Sequence, residues 1–166
     1  ASHTVVVTVA EDNGSLKVTK VTIDGVVSTG EAIGTAKVDV TNTYSETHYT
    51  PKVTKILDYE NWPEEGFTFD LTATAKTGMT VPEAEKLTVT AKKDDETKEF
   101  GEFTFNAAGD YTLKIKEQVP EGAVDNRLAG ILYENSDHAV VVTVAEDNVS
   151  LKVTKVTIDG VVSTGE

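Results

Sequence analysis

Tyr111-Thr112-Leu113-Lys114-Ile115-Lys116-Glu117 alternates apolar and polar residues, and its last inward position is a glutamate. Strand side chains alternate faces with period two, so Tyr111, Leu113, Ile115 and Glu117 share one face. Two other segments carry a polar residue in the same way. In Pro51-Lys52-Val53-Thr54-Lys55-Ile56-Leu57 one face holds Val53, Lys55 and Leu57. In Lys37-Val38-Asp39-Val40-Thr41-Asn42-Thr43-Tyr44 one face holds Val38, Val40, Asn42 and Tyr44. Taken singly, a strand-end lysine can extend its amine into water and a glutamate can mark the end of its strand. Together they form a chemical set, because buried polar groups are costly unless they meet partners.

The set is an amine, a carboxyl and a carboxamide. An ordinary lysine is almost entirely protonated at neutral pH and cannot attack. Burial disfavours a charged amine and a charged carboxylate alike, and proton transfer between them leaves both neutral. A neutral Lys55 amine can then attack the Asn42 carboxamide. Protonated Glu117 hydrogen-bonds the carboxamide oxygen, stabilises the tetrahedral intermediate and passes a proton to departing ammonia. Holding the reactants together is worth roughly 7–11 kcal/mol. The expected product is an amide crosslink between Lys55 and Asn42, with Glu117 as catalyst. It forms once per site, so this is self-modification and not enzymatic turnover.

Residues 2–31 recur as residues 137–166, offset by 135 positions, with differences only at Ser2/Asp137, Thr4/Ala139 and Gly14/Val149. A period this long is a whole domain and not a solenoid unit. The expected division is therefore 1–48, the C-terminal strands of one repeat copy including the Asn42 strand, and 49–166, the following copy without its final strand. Strands are expected at 3–10, 15–24, 36–44, 51–58, 66–75, 86–92, 98–105, 110–117, 138–145 and 150–159. Turn signals such as Asp12-Asn13-Gly14, Asp24-Gly25, Thr77-Gly78 and Asp159-Gly160 separate them. This spacing indicates an all-β antiparallel sandwich. Pro82–Lys86 reads as a single helical turn, 43–51 as a linker, and 119–137 as a long connection.

The net charge of −13 argues against binding a nucleic-acid backbone or an anionic membrane. No apolar run is long enough for a membrane span. With no cysteine there is neither a disulfide nor a thiolate metal site, so an extracellular chain would need another covalent staple. His3 and His138 are repeat equivalents and His48 lies in the linker, so no metal site is expected. Nothing in the sequence calls for a cofactor.

Val53-Thr54-Lys55-Ile56-Leu57, Gly66-Phe67-Thr68-Phe69-Asp70-Leu71, Gly109 through Glu117, Tyr133 through Val144, and Val40-Thr41-Asn42-Thr43-Tyr44 together resemble the pilin isopeptide-linkage domains of Gram-positive surface proteins. The resemblance implies an immunoglobulin-like sandwich of the Cna-B type. It implies a bond from the first-strand lysine to the last-strand asparagine, catalysed by a glutamate between them. Those positions are Lys55, Asn42 and Glu117. The chain departs from the family in order, since its asparagine precedes its lysine. In the family the two strands run parallel, and the free connector Ser45–Thr50 reaches only ~20 Å. Head-to-tail assembly is therefore expected ahead of the alternative, a permuted monomer bonded within one chain. Residues 32–44 of one molecule complete the sandwich of 51–166 of the next, while residues 2–31 and 137–166 compete for one set of strand positions.

The resulting expectation is a structural module of a tandem-repeat stalk or pilus-like fibre, extracellular and cell-wall-anchored. Its partners would be adjacent copies of itself. The alternatives are an adhesin module holding a host ligand on loops such as 58–66 or 119–136, and an engineered or permuted self-polymerising chain.

Overall fold

A computed structural model describes residues 1–163. The chain forms two compact units, Ala1–Thr43 and Tyr44 onward.

The first unit is one antiparallel sheet of β1 (Val5–Asp12), β2 (Ser15–Ile23) and β3 (Val26–Ser28), in that order. Asn13 and Gly14 turn β1 into β2 at φ 53° and 81°, the left-handed pair that suits the twist of a two-residue hairpin. A 3₁₀ turn, Gly30–Thr35, follows. The expected strand 36–44 is not formed. Residues 37–44 lie outside any strand, and Val40, Asn42 and Tyr44 are exposed. The alternation that reads as a strand needs a neighbouring strand to pair with, and the segment has no ladder among the described residues.

The second unit contains β4 (Thr47–Tyr49), β5 (Lys52–Thr54), β6 (Phe67–Ala73), β7 (Met79–Thr80), β8 (Thr88–Ala91), β9 (Thr97–Glu99), β10 (Phe103–Phe105) and β11 (Gly109–Glu117). After these come β12 (Arg127–Leu128), β13 (Ile131–Leu132), β14 (Asp137–Asp147), β15 (Ser150–Ile158) and β16 (Val161–Ser163). One sheet is six-stranded and antiparallel, in the order β16-β15-β14-β11-β6-β8. Against it lie β4-β10-β7 and β5-β9. β4 and β5 form one extended run along β10 and β9. Thr47–Tyr49 pair with Phe105–Phe103, and Lys52–Thr54 pair with Glu99–Thr97. Between them Phe100 N–H donates to the Pro51 carbonyl at 2.9 Å.

The segment expected to be a linker, 43–51, thus contains a strand, and its Ser45 hydroxyl accepts from Leu151 N–H at 2.8 Å. Ala84–Lys86 is the single helical turn expected within Pro82–Lys86. Within 119–137 the structure adds the short hairpin β12-β13.

Alternation decides the core. β11 buries Tyr111, Leu113, Ile115 and Glu117 and exposes the residues between them. β14 contributes Val140, Val142 and Val144, β6 contributes Phe67, Phe69 and Leu71, and β10 contributes Phe103 and Phe105. Gly66 sets the entry to β6. Its φ is +78°, and a Cβ there would meet the Ala91 carbonyl, so no other residue fits without a shift.

Candidate functional site

Glu117 occupies the last inward position of β11, opposite Phe69 of β6. It is the one buried charged side chain among the described residues, 2 % exposed. Its two oxygens have different partners. Oε1 accepts from Lys55 Nζ at 2.6 Å, and Oε2 accepts from the Glu134 backbone N–H at 2.6 Å. Lys55 follows β5 on the inward side, and its N–H donates to the Glu96 carbonyl at 2.9 Å. Its side chain is 11 % exposed, and Nζ sits 4.3 Å from the centroid of the Phe67 ring. Trp62 stands edge-on to Phe67 at 5.3 Å, and Tyr133 lies 5.4 Å from it. The amine is thus held between a carboxylate and an aromatic face, an arrangement that supports a cation while shielding it from water.

The carboxylate is anchored from behind. Glu134 turns its own side chain to Ser136, whose N–H donates to Oε1 at 2.9 Å. That contact, through the Ser136 side chain first and its backbone second, holds the Glu134 carboxyl below the usual range. Burial pushes the Tyr133 phenol up, and the nearby Glu65 and Glu117 charges push the same way. Oε2 is thus committed to a backbone N–H, and Oε1 faces the amine.

The pair opens on a groove of about 310 Å³. Val53, Ile56, Phe69, Ile115, Val140 and Ile158 make it mostly apolar, and Lys55, Glu117 and His138 line it as well. The structure therefore brings two of the three expected residues together. Asn42 is in the first unit, exposed and outside any strand. Sequence reasoning did not single out the Glu134 amide, which acts through the backbone and leaves no side-chain signal. It also passed over Phe67 as a site residue, although the alternation in Gly66-Phe67-Thr68-Phe69 puts Phe67 on the inward face.

The model of the Spy0128-like isopeptide-containing domain, FctA, matches residues 51–164. The chain belongs to that family. It is an all-β, immunoglobulin-like antiparallel sandwich and a pilin-type isopeptide domain. No curated protein and no solved structure matches the chain. The FctA match begins beside β5, so Lys55 lies near the start of the domain and Glu117 near its middle. Asn42 precedes the matched residues. No helix among the described residues is long and apolar enough to cross a membrane.

Proposed function

We propose that this chain is a structural module of a tandem-repeat surface stalk or pilus-like fibre, locked by an amide bond between Lys55 and Asn42. The observation that carries this reading is the Lys55–Glu117 contact at 2.6 Å, facing a mostly apolar groove. Glu117 Oε1 takes a proton from the amine, and the neutral amine attacks the Asn42 carboxamide carbon. The new C–N bond forms first, giving a tetrahedral intermediate; the old C–N bond then breaks, and the proton held by Glu117 leaves with ammonia. The turnover is single, because the product stays in place.

The asparagine comes from an adjacent copy. In a parallel pairing Asn42 would lie beside Lys55. Thr47 to Lys55 runs extended along β10 and β9, a span of ~26 Å at strand rise. Asn42 to Thr47 covers at most ~18 Å. Ser45 is also tied to Leu151, which shortens the free part further. Bonding within one chain would require β4 to leave its sheet. Residues 32–44 of a neighbouring copy can enter the groove without that cost.

The test mixes two chains, one Asn42→Ala and one Lys55→Ala, each retaining what the other lacks. They should yield a dimer resistant to boiling in detergent and nothing longer, whereas the unaltered chain gives a ladder. Glu117→Ala in the Asn42→Ala chain should remove the dimer. Monomer alone in the mixture, with internally crosslinked monomer from the unaltered chain, contradicts bonding between chains.

A further inference from the structure

The first unit carries apolar residues that a lone three-stranded sheet cannot bury. Val5, Val7 and Val9 of β1 are 51 %, 53 % and 53 % exposed. Their repeat equivalents in β14 are Val140, Val142 and Val144, 3 %, 0 % and 2 % exposed. Identical residues thus sit in water in one copy and in the core in the other. The difference is the second unit's core, which covers that face of β14, and β11, which holds β14 there by pairing Leu113 with Val140, Tyr111 with Val142 and Gly109 with Val144.

The hairpin itself is the same in both copies. β1-β2 and β14-β15 share one register, with an irregularity at Thr8/Val9 and again at Thr143/Val144. The same clamp closes each. Asp24 accepts from Thr4 N–H and contacts His3, and Asp159 accepts from Ala139 N–H and contacts His138.

We propose that β1-β3 is a preformed sheet half that docks on β11 of a second copy, taking the place of β14-β16. The register is Val5 with Leu113, Val7 with Tyr111 and Val9 with Gly109. Thr143 donates its hydroxyl to Asp110 at 2.6 Å, and Thr8 stands at the equivalent position to make the same bond. Of the three positions that differ between the repeats, none lies on the valine face. Only exposed contacts are exchanged, with Ser2 replacing Asp137 beside Lys114 and Lys116. Incoming and resident sheets therefore bury equivalent groups, so the exchange costs little in contacts and is opposed by the freedom lost on association. Residues 29–44 follow β3 and carry Asn42, so an amide to Lys55 would make the exchange permanent. This last step rests on the amide chemistry proposed above; the docking does not.

The chain has no cysteine, so an engineered pair reads the register directly. An acceptor carrying Asp110→Cys and Val142→Asp cannot seat its own β14. It is co-refolded from urea with an excess of a Thr8→Cys donor, then oxidised. Directly opposed antiparallel positions fall within disulfide reach. A disulfide between the two chains is expected, about tenfold above that from a donor also carrying Val7→Asp, which buries an unpaired charge. A single chain with Asp110→Cys and Thr143→Cys is the geometric control. If the control closes while the two donors give equal, low yields, the docking is overturned. After reduction, mass reports the amide in the same samples. Disulfide without amide keeps the docking and removes the crosslink; amide without disulfide does the reverse.

Discussion

Replacing Glu117 by glutamine in an Asn42→Ala chain separates the ion pair from the bond it is proposed to make. No crosslink can form in that background, so the change reports stability alone. The carboxylate accepts from Lys55 at one oxygen and from Glu134 N–H at the other, both at 2.6 Å. Glutamine offers one acceptor and one donor group. If its oxygen meets Lys55, its NH₂ opposes the Glu134 N–H; if its oxygen meets Glu134, its NH₂ opposes the ammonium. Either way one buried donor is left without an acceptor. Removing one partner of a buried pair costs about 3–5 kcal/mol. Lys55 keeps 11 % of its side chain exposed, which favours the low end of that range. With a urea slope of ~2 kcal/mol/M, a loss of ~3 kcal/mol moves the midpoint down by about 1.5 M. Trp62, the single tryptophan, packs on Phe67 beside the site, so its fluorescence follows this unit. Pairing Glu117→Leu with Lys55→Met should recover only part of the loss: apolar groups replace the ion pair at little cost, but the Glu134 N–H still lacks its acceptor. A midpoint shift under ~0.5 M for the glutamine would show that the pair is solvated and the reasoning wrong.

Three further outcomes are expected. Leu113→Ala, fully buried between β6 and β14, should lower stability by about 2–5 kcal/mol in the same urea assay. Gly66→Ala should cost at least ~1–2 kcal/mol from its left-handed φ alone, and more from the Ala91 carbonyl, without changing the register of β11 by hydrogen exchange. The Asp159 carboxyl is held below 3.8, first by the His138 ring and then by the Ala139 N–H. A lowered folded value means that its contribution is present above the unfolded value and is lost as pH falls through the folded one. NMR titration should give a midpoint below 3.8 that moves up in His138→Ala, and Asp24 with His3 should behave alike.

Much of the second unit was legible because alternation is local. Tyr111 through Glu117 announced their buried face, and the same reading put Lys55 on the inward side of its segment. The segment 37–44 shows where that logic stops. Its pattern is as regular as that of β11, yet a strand exists only through a neighbour, and no ladder forms there among the described residues. β4 escaped notice because Thr47-His48-Tyr49 is short and polar, and is ordered by pairing with β10 across more than fifty residues. The Glu134 amide could not be read from residue identity at all. Repeat copies with nearly one sequence also differ in burial, since Val7 and Val142 are distinguished by what packs on them and not by their neighbours in sequence.

The central claim is an amide between Lys55 and Asn42. Mass spectrometry of the unaltered chain, denatured and then digested with trypsin, tests it most directly. The account predicts a branched peptide joining residues 38–52 to residues 53–76, uncleaved at Lys55 and lighter than its parts by one ammonia. It also predicts that the undigested species weigh multiples of the 17.8 kDa chain less one ammonia per bond. Linear peptides alone, with complete cleavage after Lys55 and an intact mass equal to that of the sequence, would contradict it.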